Sequence, residues 1–298
     1  MSTIIETDSQ YFNALSHVFT PIVLDSVAEK GYSDYLTEVC SHSGLMDRID
    51  ESLSFFEFLE EVFSFLTGNY QNEYIFKNTI AKKLLLEKHS VDNSRMLTEF
   101  RVGKNRADVV ILNGTSTVYE IKSRFDSFAR LNDQLSTYQK VFDHINIVTT
   151  PDQAKKLIPI IPIQIGILSL GVDNEFSLLR ESISNKHHIE NDVLFDSLRK
   201  SEYISIIESL TDTVPNVPNT RIFAECKKLF CQIEPEVVHE EAVKVLKNRC
   251  DAERLMSFIG TAPKSLIAFI ISNINKKTKL QALSQRYSMR MGDILGVC

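Results

Sequence analysis

Two short apolar runs on either side of an Asn-Gly pair constrain this chain most. Residues 107–112 read Ala-Asp-Val-Val-Ile-Leu, residues 117–123 read Thr-Val-Tyr-Glu-Ile-Lys-Ser, and Asn113-Gly114 lies between them. β-Branched and aromatic side chains suit a pleated, half-buried surface, and Asn-Gly tolerates the positive φ of a hairpin. The segment therefore predicts two adjacent antiparallel strands. Both strands carry charge in apolar surroundings: Asp108 in the first, Glu120 and Lys122 in the second. Ionised groups taken out of water are costly unless paired or bound to an ion. Two carboxylates set together suit Mg²⁺, which keeps its other positions for water and phosphate.

The register decides whether those carboxylates can meet. Side chains alternate along a strand, so Val118, Glu120 and Lys122 share one face while Tyr119 and Ile121 share the other. A strict two-residue Asn-Gly loop sets Asp108 opposite Tyr119, and a loop one residue longer sets it opposite Glu120. A one-residue slip turns every side chain to the other face. The longer loop is expected, because it alone brings the two carboxylates together.

The surrounding sequence supplies an ordered set of elements. Residues 72–86 read as an amphipathic helix with Tyr70, Ile75, Phe76, Ile80 and Leu84 as apolar positions and Glu73 near its start. A strand over 96–102 follows. Beyond Lys122, the apolar positions Phe128, Leu131, Leu135, Tyr138 and Phe142 recur at helical spacing, and the same stretch holds Gln134-Leu-Ser-Thr-Tyr138. Residues 144–150 and 163–170 read as further strands. Pro159 and Pro162 delimit the connection into the last one, and Gly166 within it suggests a close backbone approach.

This pattern resembles the PD-(D/E)XK nuclease superfamily, which includes restriction endonucleases and RecB-like nucleases. The motif stands here as Arg106-Ala-Asp108 followed by Glu120-Ile-Lys122, with Gln134-x-x-x-Tyr138 matching the RecB-like members. Tyr-Glu-Ile-Lys-Ser and Arg130-Leu131 are similar to a group of small stand-alone bacterial proteins. The resemblance spans about residues 70–180. It implies an α/β fold with a restriction endonuclease-like mixed sheet, α-β-β-β-α-β in order, flanked by helical regions. The implied division is a helical N-terminal region over 1–68, the nuclease core over 69–184 and a helical C-terminal region over 185–298.

The resemblance also implies roles. Asp108 and Glu120 would ligate Mg²⁺ or Mn²⁺, with the Ile121 carbonyl as a third ligand and Glu73 supporting the ion or its waters. Lys122 would orient or help deprotonate the attacking water. Gln134 and Tyr138 would shape the site, and Arg124 and Arg130 would contact phosphate. The implied activity is hydrolysis of phosphodiester bonds, with DNA favoured over RNA, in defence, restriction or repair. The alternative is a catalytically silent nuclease-like module that binds nucleic acid or protein. On that alternative Glu120 and Lys122 form a cross-strand ion pair, and the two arginines are ordinary surface charges.

Composition limits the other classes. The chain has 298 residues, enough for a large core, and a formal net charge of −6, so phosphate binding needs a local basic surface. No long apolar span and no basic, apolar leader is seen, which points to a cytoplasmic location. Five widely spread cysteines fit a reducing compartment. Cys226, Cys231, His239 and Cys250 match no familiar zinc spacing. No Gly-rich phosphate loop and no Gly-x-Ser-x-Gly elbow occurs. The flanks carry an aromatic stripe over 53–66, an acidic stretch from Asp25 to Glu61, and a basic C-terminal cluster: Lys264, Lys276, Lys277, Lys279, Arg286 and Arg290. These flanks suit a protein partner, the basic cluster suits nucleic acid or solvent, and a homodimer is left open.

Overall fold

The computed structural model describes residues 5–89 and 93–296. Residues 1–4, on which part of the leader reading falls, lie outside them. The chain forms two compact units. One draws on residues 5–88, 171–175 and 251–296, the other on 89–170 and 176–250. Both run across the boundaries read from the sequence.

The first unit is helical. Its N-terminal part holds α1 (Phe12–Ser16), α2 (Pro21–Lys30), α3 (Asp34–His42), α4 (Phe55–Asn69) and α5 (Glu73–Ile80), the last continued as a π-helix over Ala81–Glu87. The aromatic stripe forms α4 because Ser54 and Glu57 cap it reciprocally and Phe55, Phe58, Leu59, Val62 and Leu66 fall on one buried face. In α5, Asn72 caps the first turn, and Ile75, Phe76 and Ile80 are buried as their spacing predicts.

The second unit is built on a six-stranded mixed sheet of β1 (Arg95–Val102), β2 (Asn105–Leu112), β3 (Ser116–Lys122), β4 (His144–Thr149), β5 (Gly166–Leu170) and β6 (Phe176–Arg180). The strands lie in sequence order. β3, β4 and β5 are parallel, and the other neighbours are antiparallel. α6 (Leu131–Gln139) and α7 (Pro151–Leu157) make the two crossovers. Gly166 meets the expectation of close approach: a Cβ there would collide with the Asn146 side chain on β4.

Four more helices complete this unit: α8 (Asn191–Asp196), α9 (Lys200–Thr211), α10 (Asn219–Phe230) and α11 (Pro235–Lys247). One apolar core joins them to the sheet, with Val110, Leu112, Val118, Ile145 and Ile147 from the strands, Leu131, Leu135 and Tyr138 from α6, and Phe195, Ile206, Phe230 and Val243 from the later helices. The remaining helices, α12 (Ala252–Ile259), α13 (Ile267–Asn273), α14 (Lys277–Ser284) and α15 (Met291–Leu295), belong to the first unit. Among the described residues no helix is long and apolar enough to cross a membrane.

One polar node within the second core has a measurable consequence. His239 on α11 is 1% exposed, and its Nε2 lies 2.7 Å from Ser116 Oγ at the start of β3. Ser116 Oγ in turn accepts from the Asp143 amide. The other ring nitrogen, Nδ1, finds no hydrogen-bond partner among the described residues. Burial depresses the imidazole from 6.5 to about 4, against the opposing pull of the Asp143 carboxylate. The unfolded chain therefore takes up this proton more readily than the folded one. The associated stability is complete above pH 6.5 and is lost as pH falls toward 4. Urea unfolding is expected to show a loss of roughly 2–3 kcal/mol from this group on acidification across that window. His239→Gln should flatten the profile there, and an unchanged profile would show that the ring does not titrate as described.

Candidate active site

The β2–β3 connection has the longer of the two loops considered. The ladder pairs Val109 with Tyr119, Val110 with Val118, Ile111 with Thr117 and Leu112 with Ser116. Residues 113–115 form the turn, with Gly114 at φ 98° and the Asn113 amide donating to the Thr115 carbonyl. Carried back one position, this register sets Asp108 against Glu120.

The strands change character at that point. Leu97, Phe100 and Val102 of β1 all pack on the same core, although Leu97 and Phe100 differ in parity, and so do Ala107 and Val110 of β2. The switch falls at Glu99 and Asp108, which stand opposite one another by register. Glu99 has a φ of 56°, a left-handed conformation uncommon for a non-glycine residue. Carboxylate oxygens of Glu99 and Asp108 lie within 4.8 Å of each other. Asp108 also reaches sideways across the sheet: its Oδ2 accepts from the Ile121 amide at 2.7 Å. Within a strand, the N–H and C=O of one residue point to the same side. The Ile121 carbonyl is therefore turned toward β2, while the next carbonyl, of Lys122, accepts from Thr149 on β4.

Glu120 and Lys122 are 1% and 8% exposed. Lys122 Nζ donates to Glu120 Oε1 at 2.7 Å and to Gln134 Oε1 at 3.0 Å, and Gln134 Nε2 donates to Glu120 Oε1 at 2.6 Å. The Tyr138 hydroxyl lies 2.9 Å from both Glu120 Oε2 and the Arg106 carbonyl, so its one proton is shared between two acceptors. Burial, reinforced by the Glu120 charge, holds this phenol well above its usual range and keeps it a donor. The helical spacing of Gln134 and Tyr138 thus delivers both side chains from α6 to one carboxylate.

The donor set suits a hard divalent cation. Asp108, Glu120 and the Ile121 carbonyl offer oxygen from two adjacent strands. A carboxylate has about four acceptor positions, and those of Glu120 are not exhausted by Lys122, Gln134 and Tyr138. Mg²⁺ asks only one or two carboxylates of a protein.

The other expected residues are placed differently. Arg124 and Arg130 are exposed and follow β3 directly, Arg130 in the position before α6. Glu73 belongs to the first unit, where it opens α5 and pairs with Lys77 one turn on. In the basic C-terminal cluster, Lys279 is engaged by Asp25 and Glu29, so part of the acidic stretch finds its counter-charge within its own unit. Glu99 was not singled out from the sequence. Its only signal is an acidic residue within Arg-Met-Leu-Thr-Glu-Phe-Arg-Val, and a left-handed φ leaves no mark there.

Comparison with known proteins adds a relationship. The protein cII of Enterobacteria phage P4 is 25% identical over 175 residues, which is 56% of this chain and 64% of the phage protein. The chain thus spans a little under two thirds of that relative's length. A solved protein of unknown function from Silicibacter pomeroyi is 18% identical, covers 36% of this chain and 68% of its own, and superposes with a TM-score of 0.29. A likeness that slight carries no argument. The family model described as Bacteriophage P4 protein cII matches residues 67–268, which takes in every strand of the sheet and the stretch from Glu73 to Tyr138. With well over half its length matched, the chain belongs to the bacteriophage P4 protein cII family.

Proposed function

We propose that this protein is a Mg²⁺- or Mn²⁺-dependent nuclease of the PD-(D/E)XK kind, acting on DNA in preference to RNA. The observation that supports it most is the pairing of Asp108 with Glu120, beside the buried Lys122, where β2 turns its carboxylate toward β3. Asp108, Glu120 and the Ile121 carbonyl would hold the ion. Such an ion, when bound, acidifies a ligated water and offsets charge on the phosphate. Lys122 orients the attacking water and meets the negative charge of the phosphate. Gln134 and Tyr138 fix the orientation of Glu120, and Arg124 and Arg130 offer exposed charge to the nucleic-acid backbone. A role in defence, restriction or repair follows only by analogy with stand-alone nucleases.

One observation favours a second reading, a nuclease-like module without turnover. Glu120 already receives Lys122, Gln134 and Tyr138, a set of contacts that neutralises it without an ion. Incubation with circular single-stranded and supercoiled duplex DNA separates the two. Cleavage in Mg²⁺ or Mn²⁺ that stops in EDTA is the expected result, and circles would make it endonucleolytic. No cleavage of circles, linear DNA or RNA with either metal would favour the silent module.

A further inference from the structure

We infer that the turn leaving β3 is a base-stacking platform, formed by Phe125 with Arg124, that selects single-stranded or locally unpaired nucleic acid; this rests on the nuclease reading of the adjoining carboxylates. Phe125 is 54% exposed, the most exposed phenylalanine among the described residues. Leaving such a ring in water forgoes about 1.5–3 kcal/mol of burial. The exposure is built rather than loose. Asp126 Oδ2 accepts from both the amide and the hydroxyl of Ser123, the Phe125 amide donates to Ser123 Oγ, and the Asp126 amide donates to the Ser123 carbonyl. From α7, Gln153 Nε2 donates to the Arg124 carbonyl. The ring is therefore held outward on a braced turn.

Three further features point to a nucleic-acid strand as its occupant. The Arg124 guanidinium lies over the Phe125 ring at 4.9 Å from its centroid, which sets a phosphate-binding group against an aromatic surface. Phe125 is three residues beyond Lys122, at most about 11 Å of chain, so a base on the ring belongs to a nucleotide near the proposed scissile phosphate. Gln153 is 9% exposed, and its Oε1 is buried with no hydrogen-bond partner among the described residues. It leaves an acceptor beside the turn, and base edges carry the matching N–H donors. Bases in an intact duplex are stacked on one another and offer no free face, whereas those of a single strand do. The net charge of −6 also disfavours affinity built on broad phosphate neutralisation.

The test is fluorescence anisotropy with a short labelled single strand and its duplex, in EDTA so that no substrate is cut. Phe125→Ala should weaken single-strand binding roughly tenfold or more, the effect of losing one stacked base, and change duplex binding far less. Phe125→Trp should restore single-strand affinity. Because the chain has no tryptophan, the introduced indole reports directly, and its emission should be quenched by single-stranded DNA. Wild-type protein without affinity for single strands, equal affinity in Phe125→Ala, or an unquenched indole at saturation would each overturn the inference. Failure of the nuclease reading is seen separately, as absence of metal-dependent cleavage by a wild-type protein whose single-strand binding still depends on Phe125. Thermal unfolding of each variant checks that the exposed substitution leaves the fold intact.

Discussion

Asp108→Ala is expected to lower metal-dependent cleavage by about 10³-fold or more. Charge stabilisation by a bound cation amounts to several kcal/mol, and each 1.4 kcal/mol is a factor of ten in rate. Asp108 is one of two carboxylates proposed to hold that cation, and it also accepts from the Ile121 amide. Loss of this hydrogen bond alone costs stability on the order of 1 kcal/mol. Asp108→Asn separates the two effects, since it retains an acceptor for the amide and removes the charge. Both variants should fail in the circular-DNA assay, with the asparagine form nearer wild-type stability. Lys122→Ala should fail as well. Full activity in Asp108→Asn would remove the carboxylate pair from the chemistry.

Lys122→Met is expected to destabilise the protein by about 3 kcal/mol in EDTA, measured by urea unfolding at pH 7. Breaking a buried ion pair by removing one partner costs about 3–5 kcal/mol, because the remaining charge is stranded. Glu120 is 1% exposed, and Lys122 is its cationic partner at 2.7 Å. The lower end of the range applies because Gln134 and Tyr138 still donate to the carboxylate. Pairing the change with Glu120→Leu should recover much of the loss, since apolar groups of similar size need no counter-charge. A Lys122→Met protein as stable as wild type would contradict the buried pair.

Much of the sheet and most of the site were legible in the sequence, for definable reasons. β2 and β3 have strong alternation around an Asn-Gly turn, and a search for the register that joins Asp108 to Glu120 finds the three-residue loop that the chain adopts. Gln134 and Tyr138 lie one turn apart on a helix whose apolar positions repeat cleanly. β6 went unread because Phe-Ser-Leu-Leu-Arg does not alternate, and as an edge strand it is largely exposed. α7 is seven residues long, too short to establish a period, although Pro151 at its first turn marks a start. The left-handed Glu99 and the parity switch beside it depend on packing across two strands, which single-strand alternation cannot express. The same is true of Ser116 and His239, which are 123 residues apart in the chain. Helical periodicity after residue 185 was visible, but not that α8 to α11 share the core of the sheet while α12 to α15 join the N-terminal helices. Long-range pairing of that kind is set by which apolar faces meet, and one sequence does not record it.

The claim at the centre of this account is that Asp108 and Glu120 together hold a divalent cation. Calorimetric titration of Mn²⁺ into wild-type protein and into Asp108→Asn tests it most directly. A binding event in the wild type that is lost or weakened about 10-fold or more in the variant is the predicted result. Equal Mn²⁺ affinity in the two proteins, or no binding to either, would contradict it.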